Sequence, residues 1–193
     1  MQVCAIFLLQ KNEGVFFMKK IITLICLSTL LGAGLFAQNV QKEENNISLG
    51  SVWYSDCIKT GGGAEIGFTI LDKALFIRDY FTVVGYGGKI LQVNNNFGEV
   101  SLGNKIQIGS TIFESQGLNI NLYGILSGEV GFYSSKEKTF FALPLTYDFK
   151  ICGGLELLMN NKNSFYAEFG GGIQFMQSVL GFSNLSLGYR YYF

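Results

Sequence analysis

The chain has no histidine among its 193 residues. Histidine is the commonest general base near neutral pH and the commonest metal ligand, so its absence argues against most hydrolytic mechanisms and many metal sites. The glycine runs Gly61-Gly62-Gly63 and Gly170-Gly171-Gly172 lack the lysine of a phosphate-binding loop. We therefore predict no catalytic residue, no metal site, no cofactor and no enzymatic activity.

Charge and proline are also scarce. Charged residues make up 15% of the chain, the net charge is zero and there is a single proline, whereas glycine reaches 25 residues and aromatic residues reach 15%. No basic tract is present, which excludes nucleic acid as an expected partner. The composition favours glycine- and aromatic-rich β-structure.

The one long apolar run lies near the N-terminus. Met18-Lys19-Lys20 precedes an apolar stretch over residues 21–36, which is followed by Ala37 and Gln38. This order is typical of a secretory signal peptide over residues 18–37, cleaved between Ala37 and Gln38. A transmembrane anchor is the alternative, but the run is short for one. Cys26 lies within the run after Ile25, which argues against a lipoprotein.

The signal peptide divides the chain. Residues 1–17 precede a complete signal, so we interpret them as an extension from a mis-assigned start codon; an unusually long n-region is the alternative. Residues 38–46 are polar without periodicity and are predicted to form a flexible leader. Residues 47–193 remain as one domain.

Period-two alternation of apolar and polar residues runs through this domain and predicts β-strands. One predicted strand places Ala64, Ile66, Phe68 and Ile70 on one face, and most such runs reach about ten residues, the length of a membrane-crossing strand. Long and short connections are expected to alternate, with the long ones at Cys57–Gly62, Gly87–Phe97, Ser134–Thr139 and Gln177–Ser183. The count is eight strands, or ten if Phe140–Tyr147 forms a strand of its own.

The chain ends on an aromatic residue after a strand-like segment. Leu185, Leu187, Tyr189, Tyr191 and Phe193 share one face, and a soluble edge strand with such a face would aggregate. The segment resembles the C-terminal assembly signal of bacterial outer-membrane β-barrels, with the polar Ser186, then Gly188, then aromatic residues at Tyr189, Tyr191 and Phe193.

The resemblance is to small eight-stranded outer-membrane barrels such as the OmpA transmembrane domain and OmpX-like proteins. It implies a closed, antiparallel, up-and-down transmembrane β-barrel, exported through the secretory pathway to the outer membrane of a diderm bacterium. The implied partners are outer-membrane lipids, the barrel-assembly machinery, periplasmic chaperones and a host or envelope ligand at external loops. Outer-membrane phospholipases, proteases and palmitoyl transferases rely, as families, on histidine with serine or aspartate, so none of those activities is carried over.

The polar face is expected to point inward, because it combines many glycines with about one charge per strand. An eight-stranded barrel is just wide enough for side chains to fill it, so near-balanced charges predict an ion-pair network that plugs the lumen. Asp79 is adjacent to Arg78, and a β-bulge there is expected to keep both out of lipid. The predicted network comprises Glu65, Arg78, Lys105, Glu129, Asp148, Lys150, Glu156, Glu168 and Arg190.

Aromatic residues near predicted strand ends suggest interfacial girdles. The candidates are Trp53, Tyr54, Tyr80, Tyr86, Phe132, Tyr133, Phe165, Tyr189 and Tyr191. After signal removal only Cys57 and Cys152 remain, and two free thiols are favoured over a disulfide because one lies in a predicted loop and the other within a strand.

Three function classes stay open. The first is a structural or surface-interaction barrel with an adhesin-like role and a plugged lumen. The second is a narrow porin-like channel or transporter. The third is a soluble periplasmic ligand-binding barrel. Because a plugged interior leaves the loops as the variable surface, the first class is favoured.

Overall fold

The computed structural model describes residues 47–56, 59–72, 75–90, 95–135, 145–175 and 179–193, which form eight β-strands. The predicted extension, signal peptide and leader lie outside these residues. The strands are β1 (Ile47–Asp56), β2 (Lys59–Asp72), β3 (Leu75–Ile90), β4 (Asn95–Ser115), β5 (Leu118–Ser135), β6 (Leu145–Met159), β7 (Asn163–Phe175) and β8 (Val179–Tyr192). Within the described residues no helix is long and apolar enough to cross a membrane.

The eight strands close into a barrel. Each strand pairs antiparallel with the next one along the chain, and β8 returns to pair with β1 from Ser48 opposite Tyr192 to Asp56 opposite Asn184. The terminal Phe193 donates its backbone N–H to the carbonyl of Ile47 at 2.9 Å. The all-β, eight-stranded, up-and-down closed barrel predicted from the sequence is confirmed.

The two ends of the barrel differ. Both the first described residue, Ile47, and Phe193 lie at one end, which we call the turn end; it also carries the short connections between β2 and β3, β4 and β5, and β6 and β7. Gly117 has φ +80° and Asn160 and Asn161 have φ near +50°, the left-handed backbone that tight turns need. The opposite end is called the loop end.

Several predicted loops at the loop end are strand instead. The long connections predicted at Cys57–Gly62, Gly87–Phe97 and Gln177–Ser183 are wrong in extent. β2 already begins at Lys59, and β8 begins at Val179. β3 continues to Ile90, and β4 begins at Asn95. Glycine and asparagine made these segments look like loops, but backbone pairing with neighbours, such as Gly87 opposite Gly98, continues through them. Residues 140–144 of the ten-strand alternative lie outside the described residues, and β6 begins at Leu145.

Side chains alternate between the lumen and the outer surface along most of each strand. In β6 every second residue from Thr146 to Leu158 is buried, whereas Ile151, Leu155 and Leu157 point outward. Two inward glycines make room for tyrosine rings: a Cβ on Gly154 would collide with the ring of Tyr123, and one on Gly188 with that of Tyr166.

The register shifts at two places near the turn end, between Thr69 and Leu71 in β2 and between Thr111 and Phe113 in β4. The bulge expected at Arg78 and Asp79 is therefore wrong, because β3 keeps regular pairing with β4 through both residues. Arg78 points inward and Asp79 outward. The Asp79 side chain is nevertheless only 3% exposed and accepts a hydrogen bond from Asn104 at 2.6 Å, which reduces the cost of its position.

Candidate functional site in the barrel interior

The barrel interior contains most of the buried charge of the described residues. Alternation on all eight strands turns polar side chains toward the axis, where eleven charged residues are at most 4% exposed. They are Lys59, Glu65, Arg78, Glu99, Lys105, Glu129, Asp148, Lys150, Glu156, Glu168 and Arg190. The structure therefore places all nine residues of the predicted network in the lumen, together with Lys59 and Glu99.

Arg190 on β8 lies at the centre of the network. Its guanidinium bonds Glu65 through Nε at 2.5 Å and Glu168 through Nη2 at 3.3 Å, and Nη1 lies 3.6 Å from Glu156. The rings of Tyr80 and Tyr166 lie 4.0 and 3.7 Å from the guanidinium carbon. Such cation–π contacts and ion pairs compensate the loss of hydration of a fully buried arginine.

Lys105 on β4 joins the same central group. Its ammonium lies 2.9 Å from Glu65 Oε2 and 3.1 Å from Glu168 Oε1, and Ser186 donates to Glu168 Oε2 at 3.0 Å. Glu65 Oε2 lacks a well-angled hydrogen bond, but the 2.9 Å ion pair with Lys105 satisfies it electrostatically. The central group thus pairs two cations with two carboxylates.

Glu156 organises the interior at the turn end. Arg78 donates to its Oε2 at 2.7 Å, as does Asn121 at 2.8 Å, while Ser164 donates to Oε1 at 2.6 Å and Tyr192 at 2.9 Å. The four donors come from β3, β5, β7 and β8, so the carboxylate of Glu156 on β6 links five strands. The guanidinium carbon of Arg78 also lies 4.3 Å from the ring centroid of Phe76.

A second charged group fills the interior at the loop end. Lys59 contacts Glu99 at 2.8 Å and Asp148 at 2.7 Å, and Lys150 contacts Glu129 at 2.6 Å. Lys150 lies 4.7 Å from the ring centroid of Tyr54. Because the pairs join four different strands, β2, β4, β5 and β6, they cross-link the barrel wall through its lumen.

Lys59 and Glu99 were missed by the sequence analysis because both were placed in or beside predicted loops. The signal was present: stepping back by two residues from Glu65 passes Gly63 and Gly61 and reaches Lys59. The same step from Lys105 through Gly103 and Ser101 reaches Glu99. Period-two continuation through glycines would have identified both.

Some of the predicted girdle aromatics lie inside the barrel. Tyr54, Tyr80 and Tyr86 are at most 5% exposed and contact the ion-pair network, so their assignment to an interfacial girdle is wrong. Each occupies an inward position of its strand, which alternation determines. Trp53 and Phe165 point outward, at 42% and 50% exposed.

The interior also contains a buried thiol among the described residues. Among the described residues no group of three or more cysteine or acidic side chains is arranged to hold a metal ion. Cys152 is a buried free thiol whose sulfur accepts a hydrogen bond from Asn184 at 3.7 Å; Cys57 lies outside the described residues. The arrangement can hold charges in place and block the axis.

Comparisons with known proteins return structures but no sequence relatives. No protein-family model matches the chain, and no curated protein matches it. Solved structures similar to it include the outer membrane enzyme PagL (12% identity, 75% of this chain and 98% of that chain, TM-score 0.48) and Neisserial surface protein A (14%, 76% and 96%, TM-score 0.49). Ail, the attachment invasion locus protein of Yersinia pestis, solved with the heparin analogue sucrose octasulfate, is 12% identical over 78% of this chain and 100% of that chain, with TM-score 0.47.

Proposed function

We propose that this chain is an integral outer-membrane β-barrel with a sealed lumen and a structural or surface-interaction role. The observation that carries the proposal is the inverted polarity of the barrel: its charged side chains are inside and its large apolar side chains are outside. A soluble barrel has the opposite arrangement, with an apolar interior around a ligand and a polar surface in water.

The outer surface supports a lipid environment. Among the described residues, 25 large apolar side chains are exposed, including Phe169 at 68% and Ile151 at 62%. They form a continuous belt around all eight strands, far beyond the apolar patches that soluble monomers expose. Hydrocarbon accepts such a surface without penalty, and closure leaves no free edge among the described strands.

The strands are also long enough to cross a membrane. The shortest, β1, has 10 residues and the longest, β4, has 21. A tilted transmembrane strand needs about 9–11 residues, so every strand suffices and several extend beyond the hydrocarbon. The extensions of β3 and β4 at the loop end fit a rim that projects from an outer membrane.

The filled interior favours a role at the surface over transport. Ion pairs cross the lumen at the turn end, the centre and the loop end, and they would have to break for a solute to pass. The loop end, which faces outward in the proposed orientation, is then the surface available to a host or envelope partner. Chaperones and the assembly machinery would act earlier, on the unfolded chain.

Fractionation tests the membrane assignment. We expect the expressed protein in the outer-membrane fraction, extractable only with detergent, and migrating on gels at different positions before and after boiling because a closed barrel resists detergent unfolding. Recovery in the soluble periplasmic fraction would sink the assignment.

Conductance distinguishes a sealed barrel from a narrow channel. The refolded protein in planar bilayers is expected to show no stable single-channel steps, since charged pairs fill the lumen. Reproducible steps that disappear on neutralising Arg190 or Glu129 would instead establish the channel function.

A further inference from the structure

Three buried oxygen atoms at the loop end have no hydrogen-bond partner among the described residues. They are Oε2 of Glu99, Oδ1 of Asp148 and Oε1 of Gln174. Glu99 and Asp148 contact the same ammonium group, that of Lys59, and Gln174 on β7 lies directly opposite Asp148 in the β6–β7 register. All three side chains point into the lumen and are at most 4% exposed.

The described side-chain donors to Glu99 and Asp148 are directed at the other oxygen of each carboxylate. Glu99 Oε1 receives Lys59 at 2.8 Å, Ser101 at 2.6 Å and Thr146 at 3.0 Å, whereas Oε2 receives none among the described residues. Asp148 Oδ2 receives Lys59 at 2.7 Å and Oδ1 receives none in the same part of the chain. Bare acceptors on two buried carboxylates are costly, because a buried charge needs compensation on both oxygens.

The charge balance differs between the two halves of the network. The central and turn-end groups contain three cations, Arg78, Lys105 and Arg190, and three carboxylates, so they are neutral. The loop-end group contains Lys59 and Lys150 against three carboxylates, Glu99, Glu129 and Asp148. Among the described residues, the loop-end group therefore has one positive charge too few, and the unpartnered oxygen atoms lie in or beside this group.

We propose that a monovalent cation, Na⁺ or K⁺, binds at the loop end of the lumen between Glu99, Asp148 and Gln174. Carboxylate and amide oxygens are the ligands that hard cations prefer. A single charge makes the loop-end group neutral, whereas a divalent ion would leave an excess positive charge beside Lys59. The cation completes the plug by tying β4, β6 and β7 together at the loop end.

Sodium binding to the detergent-solubilised, folded barrel tests the site directly. We expect ²³Na NMR line broadening that K⁺ competes away, and a thermal unfolding midpoint higher in NaCl or KCl than in N-methyl-D-glucamine chloride of equal ionic strength. At a cation concentration ten times Kd the midpoint should rise by about 3–6 °C. The proposed cation site lies inside the barrel, and the measurement is made in detergent. Its result therefore does not depend on the proposed membrane location.

Three variants identify the ligands. Asp148→Asn removes one negative charge, so the loop-end group becomes neutral without a cation. The unfolding midpoint of this variant should therefore not depend on the cation. Gln174→Met removes one ligand without a charge change and should weaken sodium binding about tenfold. Glu114→Gln, an exposed carboxylate at the turn end, is the matched control and should keep the full cation effect.

Two results would overturn the proposal. One is an equal midpoint in Na⁺, K⁺ and N-methyl-D-glucamine with no sodium line broadening. That result would mean that water or a shared proton, and not a cation, binds the three unpartnered oxygen atoms. The other is stabilisation by Ca²⁺ or Mg²⁺ alone, which would assign a divalent site. Both outcomes can be read from the wild-type protein, so they do not require that any variant fold.

Discussion

Arg190 makes more interior ion pairs than any other side chain among the described residues, with Glu65, Glu156 and Glu168. Its charge is fully buried, so the lost hydration of the guanidinium must be compensated by those carboxylates and by the rings of Tyr80 and Tyr166. Removing one member of such a group leaves an uncompensated charge in a medium of low dielectric constant. A substitution at Arg190 is therefore expected to destabilise the folded barrel strongly.

Arg190→Met is expected to lower the free energy of unfolding by about 3–5 kcal/mol, because three buried carboxylates then share only two cations, Arg78 and Lys105. Urea unfolding in lipid vesicles measures this, followed by the fluorescence of Trp53, the single tryptophan of the chain. Arg190→Lys keeps the charge and should lose less. Lys162→Met, at an exposed turn position, is the control; an Arg190→Met barrel as stable as that control would contradict the network's structural role.

At the scale of the element, β8 combines two separable roles. Its inward residues, Ser186 and Arg190, belong to the ion-pair network, whereas its outward residues end in Tyr191 and Phe193, whose rings meet edge to face at 5.1 Å. Phe193 is 59% exposed on the lipid side. Its ring therefore contributes little to packing inside the barrel.

Phe193→Ser is expected to reduce the amount of folded barrel in cells several-fold while changing refolding of the purified chain into vesicles little. The physical reason is that the ring contributes little to barrel packing but belongs to the proposed assembly signal. Heat-modifiable migration measures both. Phe165→Ser removes an outward aromatic of similar exposure on β7 and is the matched control; equal losses in cells for the two variants would argue against a signal at the C-terminus.

The strand ends show what local sequence does not reveal about an element. Gly87, Gly88, Asn95 and Asn96 have the composition of a loop, yet the register pairs Gly88 with Phe97 and Lys89 with Asn96. A glycine in a long ladder is held by its neighbours' hydrogen bonds, whatever its own propensity. The same error hid Lys59 and Glu99, which lie in the extended parts of β2 and β4.

Across the whole molecule, inverted polarity means that the free-energy cost of a charged side chain depends on whether it points into the lumen or outward. On the outer face the cost also depends on how deep the side chain lies in the bilayer. Leu126 lies outward in the middle of β5 and is 47% exposed, whereas Thr60 lies outward near the loop end. In a bilayer the first position is in hydrocarbon and the second is near the interface or in water.

Leu126→Arg should therefore cost about 2–4 kcal/mol of unfolding free energy in vesicles, and Thr60→Arg about 0–1 kcal/mol. Unfolding by urea in phospholipid vesicles provides the measurement. The same small cost for both variants would mean that the outer belt is not in hydrocarbon, and with it the membrane orientation would fail.

Period-two alternation assigns each strand its inward and outward faces without tertiary information, because it is a local property that each segment carries on its own. It thereby predicted the eight strands and the inward position of residues such as Glu156 and Arg190. The tertiary structure decided which charges meet: Arg190 reaches Glu65 across 125 positions of sequence, and Lys59 reaches Asp148 across 89. Such contacts depend on barrel closure and on the relative shift of neighbouring strands, and the two bulges and the outward, covered Asp79 depend on the same geometry. No pattern within a single strand encodes these quantities.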